Sequence, residues 1–286
     1  MHVTESVWQT PDGIHLHVRH WRPANTPKGS IILVHGLGEH CGRYEHVAEF
    51  FTAAKFAVTG FDLRGHGESG GVRGHAPAYE ALAEDIQHFV EEANQNYNGL
   101  PLFLYGHSLG GALTLYHVLT GRRQITAAIA GAPGLVPAMP VPAAKMTAAR
   151  VLARFIPSFT MSNDLDTSGL SRDPSVVERY HQDPLVHDRV SARLGVELVD
   201  NGRWMLNQIK VNTPLLILQG TADRLVNPTA APQLAGNLQG DVTYKGWDGV
   251  YHELHNEPEK GDVLRFVLSW LESKAGGRSR QVTPLA

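Results

Sequence analysis

The stretch Leu104-Tyr105-Gly106-His107-Ser108-Leu109-Gly110-Gly111-Ala112 carries the apolar segment "PLFL" into a serine flanked by glycines, then into the helix-like run "GALTLYHVL". A strand that turns abruptly into a helix crowds its own backbone, and Gly106 and Gly110 remove the side chains that would collide there. Ser108 then stands exposed on a strained turn, and a helix opening at Leu109 directs unpaired backbone N–H groups at whatever the serine meets. This is the G-x-S-x-G nucleophile elbow. Five residues alone also fit a glycine-rich turn with an incidental serine, so its companions in the chain must decide.

On either side of this stretch, short continuous apolar runs alternate with helical patterns. "SIILVHG" precedes "GRYEHVAEFFTAAK", "FAVTGFD" precedes "YEALAEDIQHFVEEANQ", and further apolar runs stand at 127–134 and 213–220. Apolar strands between helices predict an α/β fold whose mostly parallel sheet is covered on both faces. An opening hairpin is expected around Pro11-Asp12-Gly13, a helix at "APQLAGNL", a strand at "DVTYKGW", and a closing helix with Pro258 near its start. The long interval between the last two central strands exceeds what a crossover needs. The chain therefore divides into a first core part (1–135), an inserted, mainly helical cap (136–213), a second core part (214–275) and a flexible tail (276–286).

Within the cap, Ala148, Val151, Leu152, Phe155 and Ile156 fall on one helical stripe, opposite Arg150 and Arg154. The expectation is that this stripe packs on the body, with transient membrane-surface contact as the alternative.

The 286 residues are 42% hydrophobic and 19% charged, with Lys+Arg 25 against Asp+Glu 28 and a net charge of −3. No apolar run approaches the roughly 18 residues of a membrane span, and no secretory signal is visible, which points weakly to the cytoplasm. Without a basic field, and with "GRR" at 121–123 reading as a solvated helix end, nucleic acid is not an expected partner. Cys41 is the single cysteine, which excludes an intrachain disulfide and leaves no cysteine-built zinc site. Sixteen histidines invite a metal, yet "HELH" places its second histidine one residue short of the H-E-x-x-H spacing. No metal and no cofactor are expected.

A serine hydroxyl is a weak nucleophile near neutral pH and needs a histidine base oriented by a carboxylate. "LILQGTAD" supplies Asp223 just after a buried strand, and "GVYHELHNE" supplies His252 before the last helix. The order Ser108, Asp223, His252 is that of an α/β-hydrolase. His255 is the rival base, but it falls in helical structure while His252 keeps the reach of a loop; Asp248 and Asp200 do not follow a central strand. A developing oxyanion needs two donors. Leu109 N–H is one, and Leu37 N–H, in His35-Gly36-Leu37-Gly38, is the other.

"HGLGEHCGRY", "FDLRGHGESGG", "GHSLGG", "LSRDPSVVERYHQDPLV", "GTADRLV" and "YHELHNE" together resemble the monoglyceride lipase and lysophospholipase branch of the α/β-hydrolases, over about residues 30 to 270. The resemblance implies a carboxylic ester hydrolase that cleaves a small lipid ester, monoacylglycerol, to fatty acid and glycerol through an acyl-serine, without cofactor. It also implies the triad and oxyanion residues above, and head-group contacts at Arg43, Tyr180 and His255. Cys41 beside the oxyanion loop is the one position to which thiol sensitivity carries over.

Alternatives are a broader carboxylesterase or lysophospholipase, or a serine aminopeptidase using Asp164, Asp166, Asp173 and Glu178 to hold a substrate ammonium. A silent binding protein is disfavoured, because it need not keep a complete triad.

Overall fold

The computed structural model describes residues 1–122 and 124–276. Arg123 of the "GRR" run and all but the first residue of the 276–286 tail lie outside the described residues. In chain order the strands are β1 (His2–Gln9), β2 (His15–Arg22), β3 (Gly29–Val34), β4 (Phe56–Phe61), β5 (Leu102–His107), β6 (Ala127–Gly131), β7 (Thr160–Ser162), β8 (Arg189–Ser191), β9 (Leu215–Gly220) and β10 (Val242–Trp247). The α-helices are α1 (Glu45–Ala53), α2 (Tyr79–Asn96), α3 (Leu109–Leu119), α4 (Ala143–Phe155), α5 (Pro174–Gln182), α6 (Ala192–Leu206), α7 (Ala230–Asn237) and α8 (Lys260–Ala275).

Eight strands make the main sheet in the order β1-β2-β4-β3-β5-β6-β9-β10. The β1–β2 hairpin joins antiparallel, through β2 and β4, and every other neighbouring pair is parallel. Strands β3, β4, β5, β6 and β9 are buried along their whole length, as continuous apolar runs require. Side chains from α2, α3 and α7 close one face of the sheet, and those from α1 and α8 close the other. Fully buried Ile31, Ile32, Phe61, Phe103 and Leu218 anchor these two layers, each contributing about 1.5–3 kcal/mol. Pairing of Val34 with Gly106 and of His107 with Gly131 sets the C-terminal ends of β3, β5 and β6 side by side. Loops leaving that edge are where an open α/β sheet presents its ligand site.

The interval between β6 and β9 is mainly helical. Asp173 caps α5, whose first residue is Pro174, and Ser191 caps α6 by accepting from Leu194 N. Pro258 lies two residues before α8, near its start as expected. One expectation changes here. The α4 stripe does not pack on the body: α4 meets α6 through Met146, Ala149, Leu152 and Ala153, which cluster with Ala192 and Val196. Val151 (53% exposed), Phe155 (73%) and Ile156 (53%) face outward. Ala149 and Ala153, beside Met146 and Leu152, let the two helices approach closely, so that face buries and Val151 and Phe155 are rotated away from it.

Candidate active site

Ser108 sits between β5 and α3 with φ 53° and ψ −114°, a conformation that L-residues rarely adopt. A Cβ at Gly106 would come within 2.0 Å of Gly110 O, and one at Gly110 within 2.1 Å of Val34 O. The turn is possible only with glycine at both positions. Its backbone is held by Ser108 N–H donating to Gly131 O (2.9 Å) and by Ser108 O accepting from Ala112 and Gly134 N–H.

Asp223 follows β9 and His252 lies in the loop between β10 and α8. His252 Nδ1–H donates to Asp223 Oδ2 at 2.7 Å, with both side chains buried. The carboxylate also accepts Gln219 Nε2–H (2.9 Å) and the backbone N–H groups of Leu225 (2.8 Å) and Val226 (3.0 Å). Burial opposes ionisation of Asp223, but the His252 charge and these donors outweigh it and hold its pKa below the usual 3.8. Burial likewise works against a charged His252, and the Asp223 carboxylate reverses this, raising its pKa above 6.5. No hydrogen bond joins Ser108 Oγ to Nε2 of His252, and among the described residues Nε2 has no hydrogen-bond partner. The loop that carries His252 is tied to the interval between β6 and β9, with Glu253 N–H donating to Leu170 O at 2.8 Å.

Leu37 and Leu109 border the same cavity as Ser108, and among the described residues neither N–H has a protein acceptor. The Leu37 loop is shaped by Gly36 N–H donating to Glu39 Oε1 (2.6 Å) and by Gly38 at φ 79°. The cavity, about 780 Å³ with its open mouth, is walled by Leu135, Pro137, Leu165, Leu170, Leu198 and Val226. Its polar lining is Glu39, Glu253, His107 and Tyr180 beside Ser108 and His252, and Glu39, Glu253 and Tyr180 gather around Arg43.

Of the three residues suggested for a head group, Tyr180 alone borders this cavity. Arg43 lies behind it, under the Tyr180 ring at 4.8 Å, clamped between Glu39 and a bidentate Glu253 (2.8 and 3.0 Å). His255 is buried, stacked on Tyr44 at 4.6 Å and set against His107. Burial drives the pKa of His255 down to about 3 and that of His107 well below 6.5, so both are neutral. Burial opposes a charge on Glu39 and Glu253, but the Arg43 guanidinium outweighs it and holds both in the carboxylate form, with pKa below the usual value. Sequence reading missed Glu39, Glu253 and His107 as lining groups. The signals were present: Glu39 stands four residues before Arg43, and Glu253 adjoins His252. Asp164, Asp166, Asp173 and Glu178 do not border the cavity; they pair with Lys145, pair with Arg224, cap α5 and accept from Gln182, respectively.

The sheet order, the strained serine turn and the loops that converge on it define an α/β-hydrolase. The chain belongs to the family described as serine aminopeptidase, S33, which matches residues 25–259. It is 36% identical over 256 residues to the monoacylglycerol lipase of Mycolicibacterium smegmatis, covering 88% of this chain and 91% of that one. It is also 36% identical over 269 residues to an uncharacterized abhydrolase domain-containing protein of Dictyostelium discoideum, covering 93% of this chain but 28% of that longer protein. Among solved structures it resembles the Paleococcus ferrophilus monoacylglycerol lipase, with TM-score 0.82, 36% identity, and 96% of this chain and 100% of that one covered. The two monoacylglycerol lipases among these are carboxylic ester hydrolases, and no helix among the described residues is long and apolar enough to cross a membrane.

Proposed function

We propose that this enzyme hydrolyses monoacylglycerol to fatty acid and glycerol. Ser108 Oγ attacks the ester carbonyl while His252 Nε2 takes its proton, and Asp223 holds the imidazole in the required tautomer and balances the imidazolium. The N–H groups of Leu37 and Leu109 stabilise the oxyanion. Collapse of this intermediate breaks the C–O bond, His252 returns the proton to the glycerol oxygen, and water repeats the sequence on the acyl-serine to release the acid.

The observation that carries this reading is the polarity of one cavity: leucine, proline and valine walls for a single acyl chain, and an end with Tyr180, Glu39 and Glu253 for a small polyhydroxyl head. Arg43 then acts as a positioning residue for the two carboxylates, and His255 as packing behind His107, rather than as direct contacts. Residues 136–213 are read as a cap over the cores 1–135 and 214–275. Its outward Met139, Val141, Val151, Phe155, Ile156 and Phe159 are read as a face for transient contact with a lipid surface.

A panel of mono-, di- and triacylglycerols, lysophospholipids, short p-nitrophenyl esters and aminoacyl amides tests the assignment. Monoacylglycerol should lead and triacylglycerol should be poor, because a second chain has no place. Preferred turnover of aminoacyl amides would replace the ester reading with a peptidase one.

A further inference from the structure

A second cluster of chemically reactive side chains lies on the β2 side of the sheet, away from the catalytic cavity. The imidazole of His17, on β2, is nine-tenths buried, yet neither ring nitrogen makes a hydrogen bond among the described residues; its closest charged neighbour is Glu68 Oε2 at 3.8 Å. Beside it stand the buried free thiol of Cys41 and the buried carboxylate of Asp62 at the end of β4. One donor atom from each residue lies within 4.8 Å of the other two. Asp62 is already oriented, accepting Cys41 N–H on Oδ1 and Glu68 N–H on Oδ2, each at 2.8 Å. The Cys41 thiol also hydrogen-bonds to this carboxylate, and the lone pair it occupies is freed once the thiol loses its proton. None of the three residues borders the catalytic cavity.

We propose that His17, Cys41 and Asp62 bind one divalent zinc ion. The donor set is one imidazole nitrogen, one thiolate and one carboxylate oxygen, which suits a borderline-soft ion and not Mg²⁺ or Ca²⁺, whose ligands are oxygens. Tetrahedral bonds of about 2.0–2.3 Å require the donors to draw together by roughly 1 Å, within the reach of side-chain rotation. Half-exposed Glu68, or water, fills the fourth position. Zinc replaces the thiol proton, which passes to solvent. The ion would tie β2 and the end of β4 to Cys41, four residues beyond Leu37, so its role is to brace the base of the loop that carries that N–H. Sequence spacing does not show this site because its donors stand 24 and 21 residues apart, in segments that only the sheet brings together.

Chelator-treated protein titrated with Co²⁺, then Zn²⁺, tests the site. One equivalent of Co²⁺ should give a near-ultraviolet thiolate-to-cobalt band with tetrahedral visible bands, and Zn²⁺ should displace it. Zinc at a hundredfold excess over Kd should raise Tm by roughly 5 °C. Both effects should vanish in Cys41→Ser and in His17→Gln, each first shown to be folded by circular dichroism. If Cys41→Ser does not fold, His17→Gln decides alone. A cobalt spectrum without the thiolate band, a band that survives His17→Gln, or no stoichiometric uptake overturns the proposal.

Discussion

Apolar residues have opposite fates in the main sheet, here called the body, and in the helical interval between β6 and β9, proposed above as a cap. In β3, β4, β5, β6 and β9 every position is buried. In α4 only Ala153 is buried, while Val151, Phe155 and Ile156 stand in solvent. A strand covered on both faces has no choice of side, so its apolar run translates directly into core. A helix lying on one neighbour has a choice, and here Met146, Ala149, Leu152 and Ala153 face the partner while Val151 and Phe155 point away. The apolar pattern thus reports packing in the body and an available surface in the cap, and the two regions should respond differently to substitution.

The largest effects belong to the body's C-terminal edge. Ser108→Ala should lower ester hydrolysis by roughly a millionfold and abolish fluorophosphonate labelling at unchanged Tm. Asp223→Asn should cost about ten-thousandfold, because it leaves His252 in the wrong tautomer. Substantial turnover by the alanine variant at matched purity would remove the elbow from the mechanism. His252→Ala should behave like the serine variant, whereas His255→Ala should retain acylation; the reverse result would exchange the two histidines.

Next comes the body's packing. Gly110→Ala forces a Cβ to within 2.1 Å of Val34 O, a clash with backbone that no rotamer relieves. A loss of about 3 kcal/mol or more is expected in chemical unfolding, and a loss below about 1 kcal/mol would show that the elbow has slack absent from this geometry.

Acid should expose the same body through its buried histidines. His117 on α3 is fully buried without a partner on either nitrogen among the described residues, and burial lowers its pKa to about 4. Between pH 6.5 and 4 the unfolded chain binds a proton there that the folded chain refuses. Stability is therefore present above pH 6.5 and lost on the way down, by roughly 3 kcal/mol for this group. His117→Leu should flatten the stability–pH slope by about one proton; an unchanged slope would refute the assignment. Activity carries a separate acid limb, because protonated His252 cannot accept the serine proton: kcat/KM should fall as pH drops through a value above 6.5. Asp223→Asn should move that limb down.

The body was readable from sequence for the reason the comparison supplies: Ile31, Ile129 and Leu216 lie in runs whose only stable environment is a two-sided core. The elbow geometry was readable because Gly106 and Gly110 answer a local steric demand, and the pairing of Asp223 with His252 because one follows a central strand and the other lies in a loop free to reach it. Glu39 and Glu253 were not, since a charged residue reads as solvated until its partner is known, and Arg43 lies 210 residues from Glu253. The displacement of Arg43 and His255 from the cavity wall has the same origin. It depends on which side chains already claim them. The face that α4 buries was misread because helical spacing identifies an apolar stripe without saying whether smaller residues beside it pack better.

The smallest effect on stability should come from the cap, and it separates the two meanings of apolar there. Leu152 and Phe155 lie on the same predicted stripe, but Leu152 packs in the α4–α6 cluster and Phe155 is 73% exposed. Leu152→Ser should cost about 1–2 kcal/mol in unfolding and lower turnover of all substrates only as far as folded protein is lost. Phe155→Ser should leave stability within about 0.5 kcal/mol, since no packing is removed. If this face enters lipid, the same change forfeits up to about 2 kcal/mol of side-chain burial, so turnover of monoacylglycerol in vesicles should fall about tenfold while that of a soluble short ester holds. Equal loss on both substrates would mean that Phe155 serves the fold or the cavity, and no loss on either would leave the outward face of α4 without a part in lipid contact.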